Sequence, residues 1–252
     1  MLEVIFLSVI QGVTEFLPVS SSAHLILISK YFNFYNENLT LDISLHTGSL
    51  LAIVFYFRKD LRDFVNNKIL FLKIILSSIP VILFGFFLVK LNLIDFLRSY
   101  KVIGWATIIF GLLLYVSDLA EIKIKKIKSF TYKHALYIGL FQVMSLIPGV
   151  SRSGITITAA RFLNYNRVDS AKISFLISIP TLGAVSFYNL QSLITKNNLE
   201  ISLLNCLGVL LSFFFSYITI KFFLYYIKKF SLKIFVIYRI ILGSIILLFS
   251  YL

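Results

Sequence analysis

The sequence predicts an all-α polytopic membrane protein in which each half of the chain supplies one re-entrant helical hairpin and three transmembrane helices, the second half inverted relative to the first. Three observations predict it: the composition, two apolar stretches broken by proline and small polar residues, and a motif that occurs twice. Of 252 residues 59% are hydrophobic and 14% charged, against roughly a quarter charged in a soluble domain. The net charge is nevertheless +13, from 24 Lys and Arg against 11 Asp and Glu. A basic disordered or nucleic-acid-binding chain is excluded, because such chains are solvated and aromatic-poor, whereas this one is 16% aromatic. At about 20 residues per crossing plus short loops, the length allows roughly six to eight crossings in one bundle.

The elements follow in order. The opening MLEVIFLSVIQG carries Glu3 where a secretory signal would be basic, and it lacks a small-residue cleavage site, so the apolar start is expected to belong to the fold. The first apolar stretch, 2–33, is broken at Pro18-Val19-Ser20-Ser21-Ser22. Continuous apolar runs follow near 42–58, 69–90 and 101–118, then a basic linker near 119–132. A second broken stretch, 133–163, is interrupted at Pro148-Gly149-Val150-Ser151-Arg152-Ser153, and runs near 170–190, 203–227 and 233–252 complete six expected spans. Each half of a broken stretch is about 14 residues, a helix of about 21 Å, too short for about 30 Å of hydrocarbon. A helix–break–helix that enters and leaves on one side fits better. Irregular backbone at membrane depth survives only against protein or a water-filled cavity, so both breaks are expected to face an internal site.

Alternating the six spans sorts the cations. One face receives Arg58, Lys59, Arg62, Lys68, Lys123, Lys125, Lys126, Lys128, Lys133, Arg161, Arg167, Lys172, Lys228, Lys229 and Lys233, and the other only Lys30, Lys90, Arg98, Lys101 and Lys196. The positive-inside rule makes the first face cytoplasmic and places both termini outside. Gln11–Ser22 (QGVTEFLPVSSS) resembles Gln142–Ser153 (QVMSLIPGVSRS), and Leu76–Pro80 resembles Leu176–Pro180. With a hairpin plus three spans per half, an odd number of crossings inverts the second copy. This divides one integral-membrane domain into repeat 1 (about 1–118), the linker (about 119–132) and repeat 2 (about 133–252), with a site expected where the two breaks meet.

Ionisable groups inside these breaks are costly, about 2.5–3.5 kcal/mol for Arg or Asp at a helix centre, so they need partners. Gln11 and Glu15, four apart, share one helix face. His24 follows the serine run, and Arg152 lies in the matching segment of the other repeat. Arg152 with Ser151 and Ser153 opens a helix after Pro-Gly. Free N–H groups, the positive helix end and a guanidinium fork there suit a phosphate, although a serine could simply cap the helix. Ser21 is the preferred nucleophile, with His24 three residues on as proton acceptor. Thr156, one turn beyond Ser153, reads equally as lining or ligand. His46 in His-Thr-Gly-Ser reads chiefly as structural, His134 as solvated, Trp105 as packing, and the single Cys206 as an ordinary buried thiol that rules out an internal disulfide.

At Gln11–His24 and Pro148–Thr156, with further similarity at Leu45–Arg58, the Ser-Ile-Pro segments and Ile237-Tyr238-Arg239, the chain resembles the bacterial undecaprenyl-diphosphatase family of the bacitracin-resistance type over nearly its whole length. The resemblance implies a hydrolase of the bacterial inner membrane that removes the terminal phosphate of undecaprenyl diphosphate, recycles the lipid carrier for peptidoglycan synthesis and confers bacitracin tolerance. It implies a divalent cation, Mg²⁺ or Ca²⁺, on Glu15 and Gln11. Glu15, Ser21 and His24 take the catalytic positions, and Ser151, Arg152, Ser153 and Thr156 the diphosphate-binding ones. The first acidic-motif position, often Glu in the family, is Gln11 here, which removes a charge from that metal site. Water attacking phosphorus directly, with Glu15 or His24 as base, stays open beside a phosphoseryl route. The implied partners are the lipid substrate and membrane lipids, not nucleic acid, and a homodimer is compatible with the sequence. The phosphatidic-acid-phosphatase type is excluded, because it needs a histidine several residues after its Ser-Arg and this chain has none there. A carrier that flips undecaprenyl phosphate is the rival reading, since inverted repeats with broken helices also build transporters.

Overall fold

A computed structural model describes residues 1–32, 39–66, 68–91, 93–119, 125–195 and 203–251. Lys123, Lys196, residue 252, residues 120–124 of the expected linker and the side chain of Lys30 lie outside the described residues. In chain order the helices are α1 (Leu2–Thr14), α2 (Ser21–Tyr31), α3 (Leu39–Tyr56), α4 (Arg58–Asn66), α5 (Lys68–Lys90), α6 (Ile94–Leu97), α7 (Tyr100–Asp118), α8 (Tyr132–Val143), α9 (Arg152–Phe162), α10 (Arg167–Thr195), α11 (Leu203–Lys229) and α12 (Lys233–Tyr251). Both expected breaks are present. α1 and α2 have 13 and 11 residues, α8 and α9 have 12 and 11, so each is about 16–20 Å long and well short of a crossing.

Among the described residues five helices are long and apolar enough to cross a membrane: α5, α7, α10 over Arg167–Tyr188, α11 and α12. The sixth expected span, α3, has 18 residues, about 27 Å, and its first half carries Asp42, Ser44 and His46, which lowers its apolarity. Phe84, Phe86, Phe87, Leu210, Phe214, Phe222 and Phe249 are all exposed on the outside of the bundle. So much large apolar surface in contact with the surroundings is stable against lipid tails, not water. Cys206 corrects the reading of a buried thiol: it is exposed on the outer face of α11, because in a membrane an apolar thiol needs no protein cover.

The short hairpin helices are held by long neighbours. α1 packs along α11 and α8 along α5. Close approach requires glycine in both cases, since a Cβ on Gly12 would stand 2.6 Å from Phe215 Cβ and one on Gly139 2.5 Å from the Ser77 carbonyl oxygen. α7 packs against α12, and α3 against α10 and α11, around a core that includes Phe16, Phe57, Phe175 and Phe223. The two Ser-Ile-Pro segments lie in α5 and α10, each with its proline inside the helix. α5 is the second long helix after its hairpin and α10 the first, so this similarity does not follow the repeat. The segments touch instead, Ser78 Oγ lying 3.3 Å from the Ile177 carbonyl oxygen.

Charged groups gather at one end of the bundle. Asp118 Oδ1 accepts from Arg161 Nη2 at 2.9 Å and Arg167 Nε at 2.8 Å, and its Oδ2 accepts the Leu232 N–H at 3.0 Å, tying α7, α9, α10 and the start of α12 together. Lys172 reaches Asp60 at 2.5 Å, and Lys73 Nζ donates to the Phe130 carbonyl. Arg161, counted among the cations of the basic face, is a buried ion-pair member. His134, expected to be solvated, is half-buried with Nδ1 2.7 Å from the Tyr165 hydroxyl. At the opposite end Lys101 Nζ lies over the Tyr251 ring at 4.5 Å.

Candidate active site

The two breaks meet inside the bundle. Each turns on a serine with positive φ, Ser20 at 73° and Ser151 at 68°, and the second also on Gly149 at 98°. A non-glycine residue in that region is strained, and such strain persists only where the surroundings over-determine it. The surroundings here are the other hairpin: the Gly149 N–H donates to Ser20 Oγ at 3.2 Å, and Ser153 Oγ donates to the Leu17 carbonyl at 2.8 Å. Gly149 also permits contact with α7, since a Cβ would fall 2.5 Å from the Ile103 carbonyl oxygen.

Glu15, at the C-terminal end of α1, is the centre of the assembly. Its Oε1 accepts from Arg152 Nη2 at 2.8 Å, and its Oε2 accepts from Ser21 Oγ at 2.6 Å and Gln11 Nε2 at 3.1 Å. The Glu15 and Arg152 side chains are 6% and 13% exposed, a nearly dry ion pair in which the field is little screened. A carboxylate, a guanidinium and a hydroxyl from elements 137 residues apart thus share one point.

His24 takes a different partner from the one expected. Its Nδ1 lies 2.7 Å from the Ser20 carbonyl oxygen, so Nδ1 carries the proton. A neutral ring then offers Nε2 as acceptor to the Tyr238 O–H at 2.5 Å, and the two rings are parallel within 6°. Ser21 pairs with Glu15 rather than His24. Tyr238 of α12 was not singled out for the site, and no local spacing could have found it, since it lies 214 residues from His24.

In the second hairpin Ser151 caps α9, its Oγ accepting the Gly154 N–H at 3.1 Å and lying 3.2 Å from Ser153 Oγ. The Thr156 hydroxyl is buried between the Arg152 carbonyl at 2.8 Å and Ser174 Oγ at 2.7 Å, so it braces the first turn of α9. Arg152 reaches Glu15 and Ser153 the Leu17 carbonyl, while Ser151 and Thr156 brace the first turn of α9. His46 belongs to the surroundings: its Nδ1 is bonded to the Asp42 carbonyl at 2.9 Å and lies 3.5 Å from Asp42 Oδ1.

The resident donors for a cation are few. Among the described residues no cluster of three or more His, Cys, Asp or Glu could hold a metal ion. Glu15 supplies one carboxylate, and Gln11 Oε1 is buried without a hydrogen-bond partner. Mg²⁺ commonly binds through one or two carboxylates, retained waters and substrate phosphates. These two oxygens therefore fit a cation shared with a bound diphosphate, not a dedicated protein cage.

The Bacitracin resistance protein BacA family matches residues 4–245. The chain is similar to an undecaprenyl-diphosphatase of Pelagibacter ubique, 49% identical over 251 residues, covering 99% of this chain and 98% of the relative. Proteins of the same description from Saccharophagus degradans and Jannaschia sp. are 41% and 38% identical, covering 96% and 97% of both partners respectively. The match is as long as the molecule, and the chain belongs to the bacitracin resistance protein BacA family.

Proposed function

We propose that this protein hydrolyses undecaprenyl diphosphate to undecaprenyl phosphate and inorganic phosphate, returning the lipid carrier to peptidoglycan synthesis and conferring bacitracin tolerance. The observation that carries the reading is the position of Glu15 between Ser21 and Arg152. Arg152 and the start of α9 hold the terminal phosphate, where a fork of donors and a positive helix end neutralise charge that grows in the transition state. Glu15, already accepting the Ser21 proton, is the base that frees Oγ to attack the terminal phosphorus. The bond from that phosphorus to the bridging oxygen breaks, and undecaprenyl phosphate leaves. Water then attacks the phosphoserine, Glu15 returns its proton to Ser21 Oγ, and phosphate departs carrying both protons of the water. In the direct variant Glu15 takes the proton from water and Ser21 orients it.

A divalent cation, Mg²⁺ or Ca²⁺, is part of the proposal, with Glu15 and Gln11 Oε1 as its protein oxygens. When bound it supplies charge neutralisation at the diphosphate. The protein is placed in the bacterial inner membrane with both termini outside and its basic loops cytoplasmic; the gathering of Asp60, Asp118, Arg161, Arg167 and Lys172 at one end supports this. The two halves are read as inverted repeats, supported by the matching use of α1 on α11 and α8 on α5. A homodimer is carried forward as part of the same proposal. A pure flippase needs no hydroxyl bonded to a carboxylate. Purified protein with a polyprenyl diphosphate and Mg²⁺ is expected to release phosphate, with trapped phosphoserine at Ser21 on rapid quenching. Turnover no greater than that of Arg152→Ala would refute hydrolysis, and turnover without a trapped intermediate would select direct attack by water.

A further inference from the structure

We infer that the Tyr238-Arg239 pair of α12 is a positioning device that holds His24 beside Ser21 in the first hairpin and the turn before Arg152 in the second, an inference that rests on the site proposed above. Successive residues of a helix project about 100° apart, so these two side chains leave α12 toward different neighbours. Tyr238 reaches the first hairpin, its O–H on His24 Nε2 at 2.5 Å, which fixes the imidazole with its proton on Nδ1.

Arg239 reaches the second. It is fully buried, its Nε donating to the Thr107 carbonyl of α7 at 3.1 Å and its Nη2 to the Gly149 carbonyl at 2.9 Å. The guanidinium therefore clamps the strained turn between Pro148 and Ser153 against α7, three residues before Arg152.

Two features show that space is kept for this side chain. A Cβ on Gly111 would lie 3.2 Å from Arg239 Cβ and 3.4 Å from its Nε, and one on Gly154 would lie 3.0 Å from Nη1. Nη1 is itself buried without a hydrogen-bond partner, a costly arrangement for an ion. A cation so placed behind the first turn of α9 adds to the positive field of the helix end toward any bound phosphate. Two backbone carbonyls from separate elements match the rigid fork of Arg, and the single ammonium of Lys cannot span them in the same geometry.

Hydrogen exchange and kinetics on the detergent-purified full chain test this. In Arg239→Lys, amides of 149–153 are expected to exchange about tenfold faster while those of α5 and α11 keep their protection. The same variant should lose about ten- to a hundredfold in kcat, with KM for a polyprenyl diphosphate changed less than about threefold, as misplaced groups of otherwise intact sites do. Gly111→Ala, which crowds the guanidinium while retaining every polar group, should show the same local loosening to a smaller degree and carries the test if Arg239→Lys does not accumulate. Tyr238→Phe keeps the stacked ring and should lower kcat about three- to tenfold at unchanged KM, through loss of one oriented hydrogen bond. Unchanged exchange at 149–153 in both Arg239→Lys and Gly111→Ala, or a uniform loss of protection across the chain, would overturn the role of Arg239; unchanged kcat in Tyr238→Phe would overturn that of Tyr238. The exchange result stands even if wild-type protein releases no phosphate, so failure of the clamp and failure of the proposed reaction are distinguishable.

Discussion

The two hairpins begin from similar peptides and end with different contacts. Aligning Gln11–Ser22 on Gln142–Ser153 pairs Ser20 with Ser151, Ser21 with Arg152 and Glu15 with Leu146. The backbone repeats faithfully, with Ser20 and Ser151 both at positive φ within a few degrees of each other. The side chains do not. Ser151 caps its own helix, whereas Ser20 Oγ crosses to the Gly149 N–H of the other hairpin. Ser21 and Arg152, at equivalent positions, approach the same carboxylate from two sides, one on Oε2 and one on Oε1. Gln11 turns to Glu15, while its counterpart Gln142 donates to Thr181 at 2.8 Å. In the proposed reaction the first hairpin supplies the base and nucleophile and the second the phosphate anchor.

The comparison can be broken most severely at its centre. Glu15→Gln and Arg152→Ala are each expected to lower kcat/KM by about a thousandfold, the range seen when a general base or a charge-stabilising donor is removed. Arg152→Ala also strands a buried carboxylate, at about 3–5 kcal/mol. The double variant should therefore unfold at a higher temperature than Arg152→Ala while staying just as inactive; thermal melting beside phosphate release separates the two effects. Next, if the asymmetry is real, the acid cannot be moved: Glu15→Leu combined with Leu146→Glu should stay within about tenfold of the activity of Glu15→Leu alone, since recovery would need the near-attack geometry rebuilt. Full recovery would show that the halves are interchangeable.

A smaller effect is expected at the paired glutamines. Gln11→Glu places a second carboxylate beside Glu15, and like charges in one site need a counter-cation or a proton, so a Mg²⁺ titration of activity should become steeper than in the wild type. Gln142→Glu should leave that titration unchanged. Least of all, Ser151→Ala removes a helix cap and should cost about 1 kcal/mol, or about 2–4 °C in melting temperature for a chain of this size. A loss equal to that of Ser20→Ala, which unpairs a buried N–H of the opposite hairpin, would show that the two hydroxyls are used alike.

Much of this was readable in the chain because bilayer physics is one-dimensional. A run of about 20 apolar residues is a span wherever it sits, and a proline with small polar residues in the middle of such a run is a break. The meeting of Glu15 and Arg152 was legible this way, since an ionisable group at depth signals a partner. Errors arose where a local pattern had a tertiary use. The Ser-Ile-Pro similarity looked like a repeat and is a contact between α5 and α10. His24, three residues from Ser21, looked like its base, but the Ser20 carbonyl and Tyr238 take both ring nitrogens. Thr156 looked like a ligand and is enclosed between Arg152 and Ser174. His134 looked solvated because it lies near lysines in sequence, yet the Tyr165 hydroxyl claims it.

The sequence by itself determined the membrane class, the two breaks, the doubled motif and the residue types of the site, because hydropathy, proline and buried charge act over a few residues and need no knowledge of neighbours. Only the tertiary structure decided which hydroxyl meets the carboxylate, which ring orients the imidazole and what a buried Arg239 does with its charge. Ser21 lies only six positions from Glu15, but the last two pairings join residues 214 and 90 positions apart. They are set by which helices pack together, and a hydrogen bond reaches only about 3 Å, so no local spacing could specify them.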